Sequence, residues 1–241
     1  MTTEGFIDSR CPYCGREVSF PEAVGGLVEE CPHCWECLIV PNDSQGTARK
    51  VPIPINTARL TLRSLQPGDS DDLLEFLSDK ELFRYSEWET MDEDSIHQWL
   101  ASKTAPKLTS LNEVFYLGIE HREHHKIIGL ATVSLQDAAL RRAALELMVS
   151  RPWQRQGFGA ETIAAILGFL FLEIDQSRVV TSFDSRNVTA ARLLKAAGMR
   201  CEGEAVKNSC FNGEWINTAY YAILREEYLV QKDRSAPPRR P

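Results

Sequence analysis

The chain has 241 residues, 43% of them hydrophobic and 25% charged, with a formal net charge of −7. That apolar content supports a packed core and excludes wholesale disorder. No apolar run approaches the roughly 20 residues that a bilayer requires, and the opening "MTTEGFIDSR" has no basic-then-apolar leader, so the expectation is a cytoplasmic protein with no membrane partner.

Charge is uneven. Residues 1–45 hold eight acids against two bases, so this segment carries −6 of the −7, and a surface of that sign repels the phosphates of a nucleic acid. Five of the seven cysteines fall in the same segment, at 11, 14, 31, 34 and 37. "CPYC" and "CPHC" repeat a C-P-x-C unit, and the 16 residues between Cys14 and Cys31 match the spacing of paired C-x2-C zinc knuckles. Each knuckle places two sulfurs on one side of a tetrahedral ion. Residues 8–41 thus resemble a zinc ribbon, with Cys11, Cys14, Cys31 and Cys34 as ligands of a structural Zn2+. Cys37 forms a rival C-x2-C pair with Cys34, and Trp35 stands where the first knuckle has Gly15. So small a segment buries little apolar surface, and the metal would supply its folding energy. The expectation is that the ribbon meets a protein partner.

"NDSQGTARKVPIPIN" (42–56) reads as an extended linker, and a second domain is expected over 57–230. "ARLTLRSL" alternates as a strand does; "PGDSDDLLEFLSD" and "MDEDSIHQWLASK" open on acids and continue as helices. "EVFYLGIE", "KIIGLATVSL" and "AALELMVS" read as three strands. The loop "HREHH" between the first two is expected to be solvated. "ETIAAILGFLFLEI" is a long apolar helix, "RVVTSF" a strand, "NVTAARLLKAAG" a helix closed by Gly198, and two strands near 200–207 and 215–224 finish the domain. The tail 231–241 is polar and Pro-rich and is expected to be disordered. Segregated runs of strand and helix give an α/β (α+β) fold, a mixed central sheet flanked by helices.

Between the third strand and the long helix lies "RPWQRQGFGAE" (151–161). A glycine-rich turn opening a helix suits an anion, because the first N–H groups have no intrahelical partner and the dipole adds positive charge. The stretch lacks the P-loop pattern, and Thr162 stands where a dinucleotide fingerprint needs its third glycine. What remains is Q-x-x-G-x-G-A, which resembles the pyrophosphate-binding motif of the GNAT superfamily of N-acyltransferases. "TARLTLRSLQPGDSDDL", "ALELMVSRPWQRQGFGAE", "NVTAARLLKAAGMRCEGE" and "NGEWINTAYYAILREEY" resemble, in order, segments of its RimJ/RimL-like branch, whose better-known members acetylate protein N-termini.

The resemblance implies acetyl-CoA as co-substrate, held by Gln154, Arg155, Gln156, Gly157, Phe158, Gly159 and Ala160, with Asn187 touching it and capping its own helix. It also implies that the strand before the glycines splays at its end, so that backbone groups of Met148 and Val149 bind the pantetheine arm and the thioester carbonyl. Alternation puts Glu146 and Met148 on one face of that strand. Glu146 is the candidate general base, expected in an environment that raises its pKa and suits it to relaying a proton; the other reading is a solvated glutamate or one paired with Arg141 or Arg142. The family's usual acids are missing, since Ala190 and Leu194 occupy their places. Ser182, Tyr220 and Tyr221 remain. Loops 84–95 and 207–215 are expected to shape the acceptor pocket, and the acids Glu87, Glu89, Asp92, Glu93 and Asp94 in the first suggest a cationic acceptor. The implied activity is acetyl transfer from acetyl-CoA to a primary amine, a protein N-terminus or a small molecule; the alternative is a non-catalytic acetyl-CoA-binding module in which the ribbon is the working part.

Overall fold

The computed structural model describes residues 5–235 apart from 87, 104–107, 109–113, 138 and 212. Glu87 and the end of the tail from 236 onward therefore lie outside the described residues.

The N-terminal segment is two small sheets. β1 (Phe6–Arg10) and β2 (Glu17–Pro21) form an antiparallel hairpin, and β3 (Val28–Glu30), β4 (Cys37–Ile39) and β5 (Arg49–Lys50) form a second sheet. The two knuckles have one geometry. Gly15 N–H donates to the Cys11 carbonyl and Trp35 N–H to the Cys31 carbonyl, each at 2.9 Å. The residue closing each turn is left-handed, Gly15 at φ +73° and Trp35 at φ +63°; the turn imposes this conformation even on a tryptophan. The ribbon's own core is little more than Ile7, Val18, Phe20, Leu38 and Val40 with two cysteines.

Val28 and Ile39 point instead into the main core. Arg141 donates to the Gly25 carbonyl at 2.8 Å while ion-paired with Asp175, and Arg49 donates to the Glu173 carbonyl at 3.0 Å. The N-terminal segment is thus seated against the elements of the main core. The segment expected as a linker is largely absorbed by this contact. β5 pairs with β4, and β6 (Ile55–Asn56) pairs with β7 (Leu60–Ser64). The reason is an apolar alternation, Val51, Ile53 and Ile55, that packs against the main core.

The second domain is built on one eight-stranded sheet. Its further elements are α1 (Ser70–Leu77), α2 (Glu93–Lys103), β8 (Val114–His121), β9 (Lys126–Asp137), β10 (Arg142–Val149), α3 (Phe158–Gly168), β11 (Arg178–Asp184), α4 (Val188–Ala196), β12 (Arg200–Phe211), β13 (Glu214–Leu224) and α5 (Arg225–Ser235). Strand order is β12-β13-β11-β10-β9-β8-β7-β6. Every pairing is antiparallel except β10 with β11. Leu73, Phe76, Leu77, Ile96 and Leu100 seat α1 and α2 on one face against Ile127 and Leu130. Ile163, Ile166 and Leu194 seat α3 and α4 on the other, against Leu145 and Val179. The long apolar helix begins at Phe158 and ends in a π-helical turn, Phe169–Glu173. α5 continues to Ser235, so residues 231–235 of the expected disordered tail are helical; acids in its first turn and bases in its last suit the helix dipole.

The parallel pair is the feature that positions the site. β10 and β11 pair only from Arg142↔Arg178 to Ala144↔Val180. β10 stays on β9 as far as Val149↔Gly129, and β11 stays on β13 as far as Asp184↔Thr218. The two middle strands therefore separate, and a wedge opens between them from Leu145 and Thr181 onward.

Candidate active site

The wedge opens into a cavity of about 480 Å³ that reaches both faces of the sheet. Leu147, Thr181, Phe183, Asn187 and Ala190 line one side; Tyr85, Trp88, Thr132 and Met148 line the other; Glu146 and Ser182 stand on its two strands. Both expected acceptor loops reach it, through Tyr85, Ser86 and Trp88 and through Phe211.

Backbone direction at the wedge follows from register. Ser150 N–H donates to the Ile128 carbonyl at 2.8 Å, and Met148 is opposite Leu130. Amides alternate along a strand, so Met148 turns its backbone toward β9, while Leu147 and Val149 turn theirs toward the wedge. This corrects the expectation for Met148, whose backbone groups face β9 and not the gap. The Val149 carbonyl accepts from Gln154 Nε2 at 2.8 Å, and the Leu147 and Val149 N–H groups face the gap, with that of Val149 nearer the glycine turn in sequence.

The glycine turn sits at the end of β10. Gly157 is the N-cap of α3 at φ +86°, and no side chain caps the helix, so the N–H groups of its first turn remain available to an anion. Gln154, Arg155, Gln156, Gly157 and Ala160 are exposed there. Two of the expected positions also meet the core. Phe158 is 3% exposed, and its ring lies beneath the turn. A Cβ at Gly159 would stand 3.2 Å from a methyl carbon of Leu193 on α4.

The turn is held from behind by a residue that sequence reasoning missed. Arg59 Nη1 donates to the Gln156 carbonyl at 2.9 Å, its Nη2 lies 2.7 Å from Glu161 Oε2, and its guanidinium stacks 4.3 Å from the centre of the Phe158 ring. Glu161 also accepts from the Thr57 hydroxyl at 2.6 Å and from Arg59 N–H at 2.9 Å. Burial would raise the Glu161 pKa, but these donors and the Arg59 charge hold it below the usual carboxylate range. His121, expected to be solvated, is buried; its ring packs 5.0 Å from Trp153 and 4.7 Å from His124.

Glu146 is exposed within the wedge. Arg141, one suggested partner, is committed to Asp175 and the ribbon. On β8, Tyr116 shares a row with Thr132 and Glu146 across three strands. Burial, and secondarily the Glu146 charge, raise the Tyr116 pKa. Ser182 stands across the wedge from Glu146, paired with Tyr220, whose hydroxyl accepts from Asn208 Nδ2 at 3.1 Å. Tyr221 is largely buried, stacked 5.4 Å from Phe183. Asn187 caps α4, accepting from Ala190 N–H at 3.0 Å, and also lines the cavity.

At the ribbon, Cys11, Cys14, Cys31 and Cys34 bring their sulfurs within 4.8 Å of one another. The Cys11–Cys34 and Cys14–Cys31 separations are 3.7 and 3.8 Å. Sulfurs about 2.3 Å from a tetrahedral Zn2+ would be about 3.8 Å apart, so the four thiols fit that ion. Cys37 lies on β4, packed against the main core and outside the cluster. His33 points its Nε2 at the Glu17 carbonyl, 3.1 Å away.

These features are matched by known proteins. A family model for the acetyltransferase (GNAT) domain matches residues 59–200. The uncharacterized N-acetyltransferase YnaD of Bacillus subtilis is 26% identical over 178 residues, covering 72% of this chain and 98% of that protein. A GNAT-family acetyltransferase from Bacillus anthracis superposes with a TM-score of 0.65 at 20% identity, over 71% of this chain and 98% of that one. Spermidine N-acetyltransferase from Vibrio cholerae, solved in complex with CoA and spermine, superposes with a TM-score of 0.62 at 21% identity, over 72% and 99%. The chain belongs to the GNAT acetyltransferase family: it is an acyltransferase, and acetyl-CoA is its co-substrate. No described helix is long and apolar enough to cross a membrane.

Proposed function

We propose that this enzyme, as a cytoplasmic member of the RimJ/RimL-like branch, acetylates the α-amine of a polypeptide, with Glu146 as general base. The observation that carries this reading is the opening of β10 from β11 with Glu146 on its edge. An incoming ammonium loses its proton toward Glu146 and attacks the thioester carbonyl. The Val149 N–H meets the developing oxyanion, a donor fixed before reaction and therefore free of reorganisation cost. The thiolate of CoA leaves with a pKa near the ~8.5 of a cysteine thiol, so its expulsion does not demand a strong acid; the Ser182 hydroxyl, which lines the cavity, is the candidate. The pyrophosphate rests on the first turn of α3 beyond Gln154–Ala160.

A peptide is favoured over a polyamine by the charges in the cavity. A polycation needs several carboxylates without cationic partners. Of the two carboxylates that line the cavity among the described residues, Asp184 is already paired with Arg186 at 2.7 Å. Residues 8–41 act as a zinc ribbon holding one structural Zn2+ on Cys11, Cys14, Cys31 and Cys34, followed by a connector over 42–56 and the acyltransferase domain over 57–230. The ribbon offers a surface to a protein partner. The test is an acceptor screen with acetyl-CoA, peptides with free amino termini, and spermidine. Acetylated peptide α-amines support the reading; exclusive acetylation of spermidine overturns it.

A further inference from the structure

α1 and α2 cover the sheet over β8, β9 and the Met148 end of β10, and stop there. Beyond them the same face is bare. Glu146, Ser182 and Tyr220 are exposed on three strands, and they border a second groove of about 520 Å³ that shares Glu146 and Ser182 with the active-site cavity. The groove runs from the wedge toward the start of β10 and β11, where Arg142 and Arg178 are paired in register.

Charges along it are not equivalent. Arg178 is neutralised by Glu202, donating from Nη1 at 3.0 Å. Glu204 is satisfied by neutral donors, Asn217 Nδ2 at 2.7 Å and the Ser185 hydroxyl at 3.0 Å. Arg142 is exposed and has no ion-pair partner among the described residues. It stands on the same face of β10 as Glu146, four residues away, about 13 Å at 3.3 Å per residue. Between them lie Ala144 and, from neighbouring strands, Gln136 and Val180. A sheet face with small groups between a carboxylate at one end and a cation at the other matches an extended chain that carries an ammonium and an anion at the same separation.

We propose that this groove binds the first residues of the peptide acceptor in extended form, and that Arg142 selects an acidic side chain at the third to fifth position. An extended peptide advances about 3.3–3.6 Å per residue, so an α-amine at Glu146 places those side chains within reach of Arg142. The inference rests on the peptide reading given above and adds a sequence preference to it. A second cation along the acceptor, as in a polyamine, would meet Arg142 unfavourably.

The test uses the full-length enzyme and two peptides identical except for Glu or Lys at positions three to five. A partly exposed pair of this kind is worth up to about 1 kcal/mol, or about fivefold, so the wild type should show about that preference in kcat/KM for the acidic peptide. Arg142→Glu should invert it, and Arg142→Gln should abolish it. The KM for acetyl-CoA should not change, because the glycine turn lies at the other end of β10. A purely structural role for Arg142 would slow both peptides alike. Equal kcat/KM for the two peptides, unmoved by Arg142→Glu, would refute the selection while leaving peptide acetylation intact. Failure of both peptides alongside turnover of spermidine would remove the peptide reading and this inference together.

Discussion

Arg59→Ala removes three contacts from the back of the glycine turn: the bond to the Gln156 carbonyl, the ion pair with Glu161, and the stack on Phe158. The pair is half open, with the Arg59 side chain 44% exposed and Glu161 17%, so the ionic part is worth no more than about 1 kcal/mol. Loss of the charged bond to the Gln156 carbonyl adds about 1 kcal/mol. The variant should therefore stay folded. The larger consequence is for the ligand. Glu161 lies in the first turn of α3, where its charge opposes an anion, and Arg59 neutralises it. Without Arg59 the turn is free to leave its binding geometry, and a bare carboxylate faces the pyrophosphate. A loss of about 1.4 kcal/mol, or tenfold, in acetyl-CoA affinity is expected. Calorimetry gives Kd directly, and steady-state kinetics should show a raised KM with kcat within about threefold. Arg59→Ala/Glu161→Gln should recover part of the loss, because the repelling charge has gone. The pH dependence has a fixed sign. Glu161 titrates below its usual value in the folded protein, so its stabilisation is present above the unfolded value of about 4.5 and is lost as pH falls through the folded one. The difference in Tm between wild type and Arg59→Ala should shrink accordingly below about pH 4.5. A folded Arg59→Ala enzyme with unchanged Kd would refute the argument.

Three further outcomes follow from the geometry. Protein purified without a metal-affinity tag should contain one zinc per chain; Cys31→Ser should release it and Cys37→Ser should not, with elemental analysis as the check. Gly157→Ala forces a side chain into a left-handed position at φ +86°, a strain of about 1–2 kcal/mol that the turn relieves by changing shape, so acetyl-CoA affinity should fall about 5–30-fold by calorimetry. Gly159→Val presses on Leu193, and should lower both Tm and acetyl-CoA affinity; loss of affinity with an unchanged Tm would show that packing on α4 is not the reason for this glycine.

Local pattern made the strands, the helices and the glycine turn legible, because period, caps and breakers are written in adjacent residues. Contacts between distant residues were not. Arg59 and Gln156 lie 97 positions apart, and nothing in "TARL" announces that its arginine closes the turn. Tyr116 joins Glu146 only through strand register, and register also reverses the backbone of Met148. The connector was obscured by composition: Pro52 and Pro54 mark it as extended, and they hide the apolar alternation of Val51, Ile53 and Ile55 that packs on the core. His121 belongs by its neighbours in "HREHH" to a polar loop, whereas it ends β8 and its ring is covered by Trp153 and Phe158. The choice of four cysteines over the fifth was legible in the shared C-P-x-C unit, because the unit is the turn.

The central claim is that the wedge between β10 and β11 performs acetyl transfer with Glu146 taking the amine proton. It is tested most directly by kcat against pH for wild type and Glu146→Gln, with a peptide acceptor and saturating acetyl-CoA. The substitution keeps shape and removes the base, so turnover at neutral pH should fall about 10²–10⁴-fold, with acetyl-CoA affinity nearly unchanged and part of the rate regained as pH rises and the amine arrives deprotonated. Equal rates for the two proteins from pH 6 to 9 would contradict it and leave water or the acceptor itself as the carrier of the proton.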